Sequence, residues 1–500
     1  MHLGMLLDMA CDAYGDRPLI GRTADGFSAP DLRRRARAGA AFLRERGAQA
    51  LVYVDVNGPA YPVAMFSAAY AGVPLVPVNY RLGAEQLVHI LSQHPRSVAV
   101  TAPVSRAHVE SVGIESLTPE EWLSATDRDD DGSDPEESDQ PAIIIYTSGT
   151  TSQPKGVLLR HDNLVSYVLG SVEFAGAGEE DAALVSVPPY HIAAVANVLS
   201  NLYAGRRAMV LEQFTPDEWL STVRDEHVTN ALVVPTMLAR IVASDGDLSV
   251  PSLRNLAYGG APMPTRIIEQ ALALWPDVGF VNAYGLTETS STVAVLGPEE
   301  HRIAWSSDDP AVRARLGSTG RVLPTVDLEI RDPLGEVLPP GEVGAICVRG
   351  DQVSAEYAGV GRALDDRGYF DTRDKGYLDE EGYLFIGGRV DDTIIRGGEN
   401  IAPSEIENVL LGHHDVEDCA VVGIADDEWG QRIEAAVVPR PGRSIDAEGL
   451  REYVRDHLRG SKTPDRIHVM SELPRTETGK LVRRHVVTAI REASTSSVDA

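Results

Sequence analysis

PAIIIYTSGTTSQPKGV occupies residues 141–157, and its reading decides that of the whole chain. Ile143, Ile144 and Ile145 form a short continuous apolar run, the pattern of a strand buried on both faces. The run passes directly into small and hydroxylated residues, then Pro-Lys-Gly. Small residues let backbone N–H groups approach an anion. The hydroxyls of Thr147, Ser148, Thr150 and Thr151 add donors around Gly149, and Lys155 adds charge; the combination suits a polyphosphate. A Walker loop needs Gly before the Lys and Ser or Thr after it; here Pro154 precedes Lys155 and Gly156 follows. An ordinary polar turn needs none of these features together.

Immediately upstream, DRDDDGSDPEESD (residues 127–139) is too acidic and too poor in apolar residues to fold, and reads as a solvated linker. Before it, residues 36–46 read as a helix and LVYVDV (residues 51–56) as a strand. Downstream, ALVSVP, RAMVLE and NALVVP (residues 183–188, 207–212 and 230–235) recur as strand-like runs between helical stretches. That alternation predicts a large α/β body. The character shifts near Arg389, at GRVDDTIIRGGENIAPSEIENVL. Gly387, Gly388, Gly397 and Gly398 bracket an expected hinge, and Ser404 with Glu407 forms a capping box for a helix whose apolar face is Ile406, Val409 and Leu410. Two strands (CAVVGIA, IEAAVVP), a helix over 448–458 and a last strand at IHVM predict a small α/β domain. The expected division is a large N-terminal domain over 1–390, a small mobile lid over 391–492 and a disordered tail over 493–500.

Composition narrows the function. With 500 residues, 43% hydrophobic and 24% charged, the chain is of ordinary globular character. A net charge of −29 argues against nucleic acid or an anionic membrane as partner. No apolar run approaches the ~18 residues of a spanning helix, and Asp8 and Asp12 interrupt the N-terminal stretch, so no signal peptide is read. Cys11, Cys347 and Cys419 are few and scattered, which suits a reducing cytoplasm and excludes a disulfide framework.

TSGTTSQPKG resembles the phosphate loop of the adenylate-forming superfamily, which includes acyl-CoA synthetases, aryl-acid ligases, firefly luciferase and the adenylation domains of peptide synthetases. Further signatures of that family follow in its order: PPYHIA (188–193), YGGAPMP (258–264), NAYGLTET (282–289), GYFDTRDKGYLDEEGYLFIGGRVDD (368–392) and PRTETGK (474–480). The resemblance implies a role for each. Thr147, Ser148, Gly149, Thr150, Thr151 and Lys155 would hold the phosphates. Gly260, Ala261 and Pro262 would form one face of the adenine slot, with Tyr284 stacking opposite, Gly285 beside it and Asn282 reading the base edge. Asp374 would bind the ribose hydroxyls and Arg389 ribose or phosphate. Glu288, with Thr147, would take magnesium, and Thr287 would touch the α-phosphate. His191 would lie between acyl pocket and thiol channel, Ala193, Asn197 and Val234 would line the acyl pocket, and Asn197 would be able to orient a polar substituent. Asp391 would be the hinge, Gly397 and Gly398 would leave room for a pantetheine arm, and Lys480 would be the catalytic lysine. Two positions depart from the family pattern. Ser152 and Arg373 stand where glycine is usual, and Arg373 is expected to pair with Asp374 and compete with the ribose.

The activity so implied is an ATP- and Mg²⁺-dependent acid:CoA ligase. A carboxylic acid is activated as acyl-AMP with release of pyrophosphate, then transferred to coenzyme A, by a monomer or homodimer. Three other readings stay open: loading of a carrier-protein thiol, adenylation of another oxyanion such as nitrite, and a non-catalytic or luciferase-like protein. Lys480, Glu288 and Asp374 argue against a dead enzyme.

Overall fold

The computed structural model describes residues 1–129, 132, 134–135, 138–147, 154–389, 392–396, 399–426, 429–458, 460–476 and 481–496. Among them the chain forms two large sheets of eight and nine strands, a four-stranded sheet, a two-stranded ribbon and a three-stranded sheet. The class is the expected α/β, with a large N-terminal and a small C-terminal domain.

The eight-stranded sheet is parallel through its middle, where Ala50–Val54 pairs with Leu75–Pro77 and with Ser97–Thr101. Ala50–Val54 and Ser97–Thr101 are buried at every position, as a sheet covered by helices on both faces requires. The helices start where their caps say. Ser28 and Asp31 form a reciprocal box at the head of Ala29–Glu45, and Thr118 and Glu121 do the same for Pro119–Thr126. The first of these helices begins seven residues earlier than the apolar pattern of residues 36–46 suggested, because its opening turn runs over Arg33, Arg34 and Arg35.

The nine-stranded sheet positions the site. Ala182–Val185, Asn230–Val233, Asn255–Gly259 and Gly279–Leu286 run parallel, with Val233 opposite Tyr258 and Gly259 opposite Ala283. Their carboxyl ends therefore fall on one rim, where open α/β sheets place ligands. That rim carries PPYHIA, Val234, YGGAPMP and NAYGLTET.

The C-terminal domain packs Val416–Asp426 against Gly430–Pro439 and Arg466–Val469. The expected capping box is absent. The helix Pro403–Gly412 is capped by Ala402 with Pro403 in the first turn. Ser404 Oγ instead donates to the Gly387 carbonyl at 2.6 Å, and the Glu407 carboxylate accepts from Val421 N at 2.8 Å and from Arg483. Tertiary partners outbid the local ones. The expected disordered tail is also shortened, because a helix spans Arg483–Ser496 and buries Val486 and Ile490. Residues 497–500 lie outside the described residues.

Three histidines make folding pH-sensitive. His161 stacks on His2 with ring centroids 4.0 Å apart, and its Nδ1 accepts from Leu3 N. Burial, reinforced by His2, pushes the His161 pKa down to about 3, and burial lowers that of His2. His301 is wholly buried, bonded to Tyr258 Oη and the Gly297 carbonyl, and burial pushes it down to about 4. His161 and His301 stay neutral in the folded chain over the range where they titrate near 6.5 when unfolded, and His2 shifts in the same direction, so the unfolded chain binds more protons as pH falls. This contribution to stability is complete above pH 6.5 and lost below it, at about 1.4 kcal/mol per unit for each fully depressed group. The melting temperature should therefore fall between pH 6.5 and 4. A flat profile in a thermal melt series over that range would contradict the assignment.

Candidate active site

The strands on either side of the hydroxyl-rich segment pair with each other. Ile143–Thr147 enters, and Lys155–Leu159 returns antiparallel with Thr147 opposite Lys155. The apolar isoleucines are buried as expected, and Lys155 is exposed at the start of the return strand. Ser148, Gly149, Thr150, Thr151 and Ser152 lie outside the described residues.

PPYHIA is pinned by two bonds from the first sheet's side: Tyr61 Oη donates to the Pro189 carbonyl at 2.9 Å and Asn57 Nδ2 to Val187 O at 3.2 Å. His191 is the N-cap residue of the helix Ile192–Ala204, beside the Tyr190 ring. Val234 belongs to a large buried apolar cluster against which Ile192, Ala193 and Met237 also pack. Asn197 is a different matter. Its Nδ2 donates to Ala193 O at 2.8 Å, and Asn201 Nδ2 donates to its carbonyl at 2.8 Å. The first bond engages the side-chain NH₂ within the helix and the second the backbone carbonyl; Asn197 Oδ1 has Asn201 Nδ2 at 3.5 Å.

Gly260 follows the strand Asn255–Gly259 at φ +81°, and a Cβ there would meet nothing nearer than Val234 Cγ1 at 4.0 Å. This glycine therefore serves the turn and leaves an open cleft beside Ala261 and Pro262. Gly285 serves packing: a Cβ would strike the Ser291 carbonyl at a register shift in the hairpin. Asn282 Nδ2 donates to Ser318 O at 2.9 Å, which fixes its amide.

Tyr284 Oη donates to Asp374 Oδ2 at 2.7 Å, and Arg389 Nε lies 3.5 Å from Asp374 Oδ1. Burial, then the Asp374 charge, pushes the Tyr284 phenol far above its ordinary value, so it stays a donor. The expected adenine-stacking, ribose-binding and cationic residues thus form one connected group, at paired positions for Asp374 and Arg389. Arg373 does not intrude. It sits at φ +63°, the left-handed region that a glycine would occupy freely, and is 64% exposed with its nearest carboxylate that of Asp371 at 3.9 Å. The expected Arg373–Asp374 competition is replaced by a loose surface pair, because the left-handed backbone turns the side chain outward.

Thr287, Glu288 and Thr289 form a 3-10 turn. The Glu288 carbonyl accepts from Ser354 N at 2.9 Å and Ala355 N at 3.0 Å, and its Oε1 accepts from Tyr357 Oη at 2.9 Å. The turn lies against the strand Lys155–Leu159, and a carboxylate with one oxygen held by a hydroxyl fits a hard cation such as Mg²⁺. Tyr357 carried no signal in the sequence. Its role appears only because the strand Glu356–Tyr357 lies against the hairpin, with Tyr357 opposite Val157. Asp391, Gly397, Gly398 and Lys480 lie outside the described residues.

Comparison with known proteins agrees with this geometry. The AMP-binding enzyme family matches residues 7–358, and the AMP-binding enzyme C-terminal domain matches residues 405–480. A feruloyl-CoA synthase from Amycolatopsis is 35% identical over 91% of this chain and 92% of its own. A fatty acid–[acyl-carrier-protein] ligase, ScoC from Streptomyces coeruleorubidus, is 32% identical over 87% of this chain and 86% of its own. The o-succinylbenzoate CoA synthetase of Bacillus subtilis, solved with its acyl-adenylate intermediate, superposes with a TM-score of 0.84 at 26% identity, covering 96% of this chain and 97% of that one. The chain belongs to the AMP-binding enzyme family, among the adenylate-forming acyl-CoA synthetases.

Proposed function

We propose that this protein is an ATP- and magnesium-dependent acid:CoA ligase for an acid with one carboxylate and an uncharged body. The observation that carries the reading is the meeting of the Tyr284–Asp374–Arg389 group with the Glu288 turn, which lies against the strand that follows TSGTTSQ. Asp374 accepts from the ribose hydroxyls, Tyr284 and Gly260 to Pro262 enclose the adenine, and the backbone and hydroxyls of Thr147 to Thr151, with Lys155, take the phosphates. Glu288, with Thr147, holds Mg²⁺, which offsets phosphate charge when bound.

The acid's carboxylate attacks the α-phosphorus, and pyrophosphate leaves. Lys480 faces the reacting oxygens and stabilises the charge that develops there, while Thr287 contacts the α-phosphate. A thiolate then attacks the acyl carbonyl, and AMP leaves with the bonding electrons. For this second step the unit over 391–492 turns about Asp391 relative to 1–390, carrying Lys480 away and bringing Gly397 and Gly398 to the thiol's path past His191. Closure in each step excludes water from the mixed anhydride.

The acid's body rests on Ala193, Val234 and their neighbours. Residues 190–197, 234–237 and 290–293 contain no lysine or arginine, and a second carboxylate buried there without a cation would be costly. The feruloyl-CoA synthase relative points to the same class of acid. The ScoC relative supports a second reading, in which a carrier-protein thiol replaces CoA. Use of ATP and CoA supports a cytoplasmic site of action; among the described residues no helix is long and apolar enough to cross a membrane. The test is a panel of acids scored by AMP release, with CoA present or omitted. Hydroxycinnamic and other aryl monoacids should give CoA-dependent turnover, and matched diacids should not. Preference for diacids would sink the pocket reading, and turnover only with a carrier protein would replace CoA as acceptor.

A further inference from the structure

We propose that Tyr357 is a positioning residue for the metal-binding carboxylate, and that the segment 354–358 is the strut that sets Glu288 against the phosphate hairpin. The inference rests on the reading of Glu288 as the magnesium ligand. Two sets of bonds make the strut. On one side Ser354 N and Ala355 N donate to the Glu288 carbonyl, which fixes the backbone of the 3-10 turn. On the other, Ala358 N donates to Gly156 O at 2.8 Å, Tyr357 pairs with Val157, and Ser354 Oγ donates to the Leu158 carbonyl. Gly156 lets the strand lie close: a Cβ there would stand 3.5 Å from Ala358 Cβ and 3.2 Å from Ile144 Cγ2. Arg160 completes the anchorage with a two-pronged pair to Glu356 at 2.8 Å.

Tyr357 adds what the backbone bonds cannot supply. Its hydroxyl holds Oε1 of Glu288 at 2.9 Å, which stops rotation of the carboxylate and leaves Oε2 to the cation. Mg²⁺ demands near-octahedral geometry with short, single-oxygen bonds. A freely turning carboxylate would alternate between one- and two-oxygen contact and lose that geometry. Partners that orient a ligand in this way are worth 10–100-fold in metal affinity or activity in other metal sites.

Tyr357→Phe removes the hydroxyl and keeps the ring. Binding of Mn²⁺, with a non-hydrolysable ATP analogue present, is read by electron paramagnetic resonance on the full chain. The expected result is Mn²⁺ affinity about tenfold weaker, a matching rise in the Mg²⁺ concentration that half-saturates pyrophosphate exchange, and an unchanged melting temperature. Placed in a Glu288→Gln background, Tyr357→Phe should weaken Mn²⁺ binding no further. Wild-type Mn²⁺ affinity in Tyr357→Phe, an additive loss in the double variant, or a loss that appears only alongside a lowered melting temperature would overturn the proposal. If Glu288→Gln itself retains wild-type Mn²⁺ affinity, the metal assignment falls and takes the role of Tyr357 with it.

Discussion

Lys480→Ala should lower acid-dependent pyrophosphate exchange by on the order of 10²–10³, while the variant keeps its melting temperature and binds ATP within a few-fold of the parent. When a carboxylate attacks the α-phosphate, two anions meet and negative charge concentrates on the oxygens around phosphorus. A single ammonium group placed there acts where little water competes with it, and losing one such group costs about 2.7–4 kcal/mol of transition-state stabilisation. Ground-state binding should change little, because the residues proposed to hold the nucleotide, Asp374 and Glu288 among them, are intact. The same variant supplied with pre-formed acyl-AMP should make thioester at close to the parent rate, because the proposed turn of the C-terminal unit takes Lys480 out of that step. Equal loss in both half-reactions would contradict the division of labour between the two steps.

Asp374→Asn should raise the KM for ATP by on the order of 10² at nearly constant stability. The carboxylate is 9% exposed and accepts from Tyr284 Oη. In the proposed nucleotide complex it accepts from ribose as well, and a hydrogen bond to a charged group is worth roughly 1.5–3 kcal/mol. Asparagine keeps the shape and an acceptor for Tyr284, but it loses the charge opposite Arg389 and turns one acceptor into a donor. Two weakened ribose bonds then amount to about two factors of ten, at 1.4 kcal/mol each. Titration calorimetry with ATP and exchange kinetics check this independently. A change smaller than threefold in both would remove Asp374 from the ribose site.

Most of the architecture was legible in the sequence because it is written in local patterns. The isoleucine run predicted a strand that exists, and ALVSVP, RAMVLE and NALVVP mark three strands of the nine-stranded sheet. The small-residue turn at Gly260 and the Tyr284–Glu288 segment stand on the rim where their chemistry belongs. What failed were inferences that stopped at neighbours in the chain. Ser404 and Glu407 have the spacing of a capping box, yet Gly387, Val421 and Arg483 offer better partners from elsewhere in the fold. Arg373 looked placed to reach Asp374, until a left-handed backbone turned it away. The Tyr284–Asp374 bond joins residues 90 positions apart, and the Tyr357–Glu288 bond joins residues 69 apart. No periodicity or spacing encodes such pairs, since only the meeting of separate strands creates them.

Exchange of radiolabelled pyrophosphate into ATP, run without CoA, tests the central claim most directly. The account predicts exchange that requires both Mg²⁺ and a monocarboxylic acid, proceeds with CoA absent, and gives AMP as the nucleotide product once a thiol is added. No exchange with any acid of the panel, or release of ADP and phosphate in place of AMP and pyrophosphate, would contradict it.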